Sequence, residues 1–145
     1  MTEGHQILSL YREAAAGNAD AFAFLCTFHQ WAHRIDDLVD QPEHDRLDVV
    51  NVAMEANVLF SSPFYVTHSG PLQVVVALVA DAYKTSVRGE REGGKAGRLA
   101  DTLRLAGNQM VLAVAMIVGG WAHMQRISER LWPLAWESQH TITVT

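Results

Sequence analysis

Residues 28–40 read Phe28-His29-Gln30-Trp31-Ala32-His33-Arg34-Ile35-Asp36-Asp37-Leu38-Val39-Asp40. At about 100° per residue, His29, His33, Asp36 and Asp40 fall within one stripe about 60° wide, with Asp37 at its edge. Followed toward the N-terminus, the same stripe meets Phe22, Leu25 and Cys26, which look like core positions. The segment therefore reads as a helix whose polar ridge continues a buried line.

Working outward, punctuation falls where helices should end. Gly17-Asn18 closes a first helix built on Leu8, Leu10, Tyr11 and Ala14-Ala15-Ala16. Asn18 or Asp20 can cap the second helix, which runs to about Asp40 with Pro42 just beyond. A third is predicted over about 44–60, carrying Leu47, Val50, Met54 and Val58 at helical spacing. Ser61-Ser62-Pro63 and Ser69-Gly70-Pro71 bracket a short connection, and a fourth helix is predicted over 71–87 with Ser69 as its cap. Residues 88–97, with Gly89, Gly93, Gly94 and Gly97 among Arg, Glu and Lys, are predicted to form an exposed, mobile loop. A fifth helix is predicted over about 98–125 with a break at Gly119-Gly120, and a last short one over 128–137 that contains Pro133. The tail, 141–145, is expected to be frayed or docked. Val74-Val75-Val76 favours a strand locally, but a strand needs a sheet and no second convincing strand exists. The fold class is all-α: one domain over 1–145, a bundle of about five to seven helices.

Composition narrows the function. A chain of 145 residues and 16.0 kDa suits one domain, and 49% hydrophobic with 19% charged residues excludes a disordered chain. A net charge of −5 argues against indiscriminate nucleic-acid binding. Cys26 is the single cysteine, so no internal disulfide forms. The first residues lack the basic and apolar regions of a signal peptide, and the nearly apolar run over 110–122 falls short of the ~20 residues that span a bilayer. A cytoplasmic location without a membrane span is the expectation. The fifth helix is apolar nearly all round over 110–118, and Gly107, Ala113, Ala115, Gly119 and Gly120 allow close backbone approach, which favours a homo-oligomer. Trp31, Trp121, Trp132 and Trp136 are expected to serve packing.

The ridge carries the candidate chemistry. Asp36, Asp37 and Asp40 repel one another and stand at a helix C-terminus, where the macrodipole disfavours negative charge. A bound divalent ion removes that conflict, and oxygen ligands suit Mg²⁺ or Mn²⁺. His29 and His33 would be further ligands or the catalytic proton carriers. Charge is also divided along the chain: residues 1–60 sum to −7 and 61–145 to +2. Arg88, Arg91, Lys95 and Arg104 are candidates to neutralise phosphate oxygens opposite the acidic helix. Asp81, inside the apolar fourth helix, is expected to need a partner, water or an ion, and joins Asp101 as a further metal candidate. Asn108 and His123 share the face of Asp101, and Asn51 with Glu55 can complete an inward polar layer. The alternative is a solvated ridge, or one paired with Arg34. Walker, dinucleotide-binding, CxxC, HExxH and nucleophile-elbow motifs are absent from the sequence.

Asp36-Asp37-Leu38-Val39-Asp40, with Phe24-Leu25-Cys26-Thr27-Phe28 before it, resembles the aspartate-rich DDxxD helix of class I isoprenoid synthases of the squalene and phytoene synthase type. That resemblance implies an all-α fold in which Asp36, Asp37 and Asp40 bind Mg²⁺ that grips a prenyl diphosphate. It covers about twenty residues. For the family's second metal motif the nearest candidate is Asp81 with Thr85, but Gly89 stands where a third ligand belongs. The all-α nucleotide pyrophosphohydrolases are similar in size, yet of their paired carboxylates only Asp37 and Asp40 keep the spacing. The chain also looks like small helical proteins of bacteria and their viruses. Two readings follow: a small Mg²⁺- or Mn²⁺-dependent hydrolase or transferase acting on a nucleotide or prenyl diphosphate, or a non-enzymatic helical interaction protein.

Overall fold

The computed structural model describes the backbone of residues 3–41, 43–97 and 104–144, and the side chains of 4–41, 43–97 and 105–136. Its helices are α1 (Glu3–Ala15), α2 (Ala19–Asp40), α3 (Arg46–Phe60), α4 (Pro63–Thr67), α5 (Ser69–Glu92) and α6 (Gln109–Val144), with a 3₁₀ turn at Arg104–Asn108 before α6. No strand occurs among the described residues, Val74-Val75-Val76 included. The chain is all-α.

Local chemistry sets the helix starts. Asn18 accepts a hydrogen bond from the Ala21 amide at 3.0 Å and so caps α2. Asp45 and Asp48 form a reciprocal capping box at the start of α3, with Leu47 N–H donating to Asp45 Oδ1 at 2.9 Å. Pro63 opens α4 at a position where its missing N–H costs nothing.

Four expectations need correction here. Residues 88–92 are not loop: α5 continues to Glu92 and ends at Gly93, whose φ of +70° is readily adopted only without a side chain. Arg and Glu are good helix formers, and one internal Gly89 costs only about 1 kcal/mol, so the glycine-rich composition was misleading. Residues 94–97 are helical again, and 98–103 lie outside the described residues. Ser69 does not cap α5, because the helix already includes it and His68 takes the cap position. The predicted last helix over 128–137 is not separate, since α6 runs on through Pro133, and the backbone of 141–144 is helical. The break expected at Gly119-Gly120 is present: Gly120 has φ +84° and ψ −176°.

The core forms where α1, α2 and α6 meet. Leu10, Tyr11, Ala14 and Ala15 of α1 are buried with Phe24, Leu25 and Phe28 of α2. Met110, Val111, Val114 and Ala115 precede the kink of α6 in the same core, and Ile127 and Leu131 follow it. Leu59, Phe64 and Leu72 close the cluster from α3, α4 and α5. Phe24 is its aromatic centre, with ring centroids 6.2 Å from Phe28, 5.7 Å from Phe64 and 6.1 Å from Tyr65. Trp31 packs edge-on to Phe60 and donates its indole N–H to the Val52 carbonyl at 3.1 Å, which ties α2 to α3.

Across the kink, His123 lies over Gly119. A Cβ on Gly119 would stand 2.3 Å from the His123 ring, so only glycine leaves room for it. From there His123 Nε2 reaches the Ala14 carbonyl at 3.0 Å, satisfying one of the last carbonyls of α1. Arg130 pairs with Glu13 beside it.

Residues Leu105–Trp136 are long and apolar enough to cross a bilayer by length and composition, with mean hydropathy 1.5 in a window that is 22% buried. The first half of α6 turns part of that apolarity into the bundle core. Met116, Trp121 and Trp136 are exposed, so Trp121 takes no part in the buried core, against the packing expected of it.

Candidate functional site

The ridge of α2 begins inside the bundle. Phe24, Leu25 and Phe28 anchor the helix, which leaves His29 half-buried beside Tyr11 of α1. Tyr11 Oη lies 2.9 Å from His29 Nδ1, with the two rings edge-on at 5.6 Å. Burial pushes the Tyr11 phenol well above its ordinary range, with a smaller contribution from nearby Cys26, so the hydroxyl stays protonated. Burial also lowers the basicity of His29, and the neighbouring His33 lowers it further. The sign follows directly. The unfolded chain takes up a proton near the ordinary histidine value of about 6.5 while the folded chain does not. Stability contributed by neutral His29 is therefore held above that pH and lost as the pH falls below it.

One turn on, His33 is exposed and its ring centre lies 4.3 Å from that of His29, with the planes 67° apart. The next step along the ridge meets α5. Asp36 is half-buried and its Oδ1 accepts a hydrogen bond from Tyr83 Oη at 2.8 Å, across 47 residues of sequence. Asp37 and Asp40, in the last turn, are exposed. The structure thus brings His29 to His33 and turns Asp36 toward α5. Among the described residues no group of three or more His, Cys, Asp and Glu is placed to hold an ion.

The other candidates fall elsewhere. Asp81 is exposed, because the inward line of α5 runs through Leu72, Val76, Val79 and Tyr83, so water is open to its carboxylate. Arg88 and Arg91 are exposed on the last turns of α5, and Lys95 is exposed just beyond. Asp101 and the Arg104 side chain lie outside what is described. Asn108 donates its amide to the Leu105 carbonyl at 3.0 Å, within its own turn. Arg34 pairs with Glu55 at 2.9 Å, so it neutralises α3 rather than the ridge, and Asn51 is exposed rather than part of an inward layer.

Sequence reading missed both tyrosines. Tyr83 continues the inward α5 stripe at its polar end, and Tyr11 sits beside Leu10 and Ala14 on the buried face of α1. A hydroxyl at the edge of an apolar stripe was the available signal.

A shallow, open depression of about 490 Å³ lies away from this ridge, lined by α3 residues that include Val50, Met54 and Val58. No protein-family model matches the chain, and no curated protein or solved structure does either.

Proposed function

We propose that the chain is a small metal-dependent enzyme acting on a diphosphate-containing substrate, a nucleotide or prenyl diphosphate, at the C-terminal half of α2. The supporting observation is the Tyr83–Asp36 hydrogen bond. It faces one ridge carboxylate toward a second helix instead of into open water alone. Mg²⁺ and Mn²⁺ take one or two carboxylates and complete their shell with water and phosphate oxygens, so Asp36 and Asp40, one turn apart with Asp37 beside them, suffice. The ion supplies Lewis acidity and orients the diphosphate. Arg88, Arg91 and Lys95 contribute cations from the end of α5, with Arg104 and Asn108 as the remaining substrate contacts and Asp81 and Asp101 as ligands of any second ion. His29 and His33, higher on the ridge, serve as further ligands or as proton carriers. A thermal-shift titration tests the reading. Mg²⁺ or Mn²⁺ with pyrophosphate at a hundred times Kd is expected to raise Tm by about 5–10 °C. Asp36→Asn removes most of that rise. An unchanged Tm for the wild type ends the proposal.

A second reading, a helical interaction protein that pairs with its own copy, is favoured by α3. Leu47, Val50, Met54 and Val58 point outward with 65, 52, 64 and 62% of their surface exposed. These four leave roughly 400 Å² open, the size of the largest apolar patch on a typical monomer and about half of the ~800 Å² each partner contributes to a standard interface. The stripe carries no charge, and Glu55 beside it is already paired with Arg34, so a two-fold pairing meets no like-charge contact. Sedimentation at micromolar concentration is expected to show a dimer, and Met54→Lys to weaken it about tenfold or more. A wild type that stays monomeric at high micromolar concentration removes this reading.

A further inference from the structure

His29 and His33 are one helical turn apart with ring centres 4.3 Å apart, a distance with a specific chemical meaning. Metal–nitrogen bonds of about 2.0–2.1 Å, added to about 1.1 Å from ring centre to nitrogen, place two imidazoles on one ion at about 90° with centres about 4.5 Å apart. At a tetrahedral ion the centres would stand about 5 Å apart, so the observed 4.3 Å puts the two rings within reach of one shared ion once the exposed His33 ring turns. We infer that His29 and His33 form a two-imidazole clamp for a first-row transition cation of the Zn²⁺ or Cu²⁺ class, oriented by Tyr11.

Three features support the clamp. The Tyr11 hydroxyl occupies His29 Nδ1 at 2.9 Å, which fixes that ring and leaves Nε2 as the coordinating atom. A hydroxyl both donates and accepts, so Tyr11 suits His29 in either tautomer: it donates to Nδ1 in the free protein and accepts from Nδ1–H when Nε2 binds metal. His33 is exposed and can turn its ring toward the shared ion, while half-buried His29 cannot swing away. Imidazole nitrogens select Zn²⁺, Cu²⁺ and Ni²⁺ over Mg²⁺, so the clamp is chemically distinct from the carboxylates further along α2. It does not rest on the diphosphate reading. Two protein ligands leave positions for water or an external donor, an open site rather than a closed structural one.

The test is calorimetric titration of the full chain, free of any histidine tag, with Zn²⁺ and separately Cu²⁺. The wild type is expected to take up one ion, and His33→Ala, at an exposed position that leaves the fold intact, to weaken it roughly a hundredfold because the second imidazole then no longer binds intramolecularly. Tyr11→Phe is expected to weaken it about tenfold. Substoichiometric Cu²⁺ should broaden the imidazole NMR signals of His29 and His33 before those of His5, His44, His68, His123 and His140. Asp36→Asn leaves Zn²⁺ uptake in place while removing most of the Mg²⁺–pyrophosphate stabilisation, so the two proposals fail separately. Equal Zn²⁺ affinity in wild type and His33→Ala, or loss of uptake in Asp36→Asn, overturns the clamp.

Discussion

Phe24→Ala is expected to lower stability by about 3–5 kcal/mol, the largest effect of any single truncation in the chain. Phe24 is 1% exposed, and its ring meets Phe28 within α2, Phe64 of α4 and Tyr65 of the same short helix. Truncation removes the transfer free energy of the ring and leaves a cavity between elements that cannot collapse together, since α2 is also pinned at Trp31. Against a total of about 5–15 kcal/mol for a domain, the loss takes a third or more of the stability. Urea unfolding measures it, with an expected fall in Tm of about 10–15 °C. Phe22→Ala is the milder comparison: half-buried at the edge of the core and under the Arg12 guanidinium at 4.7 Å, it loses partial packing and a cation–π contact worth about 0.5–1 kcal/mol, but leaves no closed cavity. A loss below about 1.5 kcal/mol at Phe24 would mean that the aromatic centre has been misplaced.

Gly120→Val is the second large effect, with an expected cost of about 3 kcal/mol. At φ +84° and ψ −176° the backbone lies in a region that residues with a Cβ scarcely enter. Straightening α6 does not relieve the strain. Val114 and Ala115 before the kink and Ile127 and Leu131 after it dock in one core, and His123 must still reach the Ala14 carbonyl. A helix rotated through the missing dihedral change would swing one of those sets into water. Gly70→Ala gives the contrast: the site has open space and a helical backbone, so Tm should stay level or rise slightly. Equal tolerance at both glycines would contradict the kinked geometry.

Much of the architecture was legible because it rests on local chemistry. Asn18 as the α2 cap, the break at Gly119-Gly120 and the all-helical class each depend on residues within a turn or two. The errors arose where local signals were balanced. Gly89 inside Arg- and Glu-rich sequence resembles a loop, yet the hydrogen-bonded helix continues until the Gly93-Gly94 pair, both at positive φ. On α3 the spacing of Leu47, Val50, Met54 and Val58 was correctly read as one face, but periodicity alone does not say which way a face points. Leu59 on another side turned out to be the buried anchor. The ridge on α2 was legible as a line of His and Asp. That Asp36 meets Tyr83 and His29 meets Tyr11 depends on packing between helices 47 and 18 residues apart in sequence, which no single-helix pattern contains.

The attachment of α1 to the far half of α6, through His123 to the Ala14 carbonyl and Arg130 to Glu13, bears on how the chain is made. Synthesis proceeds from the N-terminus at about 5–20 residues per second, so the first helix leaves the ribosome several seconds before its main docking surface exists. Until then Leu10, Tyr11 and Ala14 have only α2 to cover them, and a chaperone that shields emerging apolar segments is expected to engage this stretch first. Closure of the bundle is a late event that joins α1 to the far half of α6.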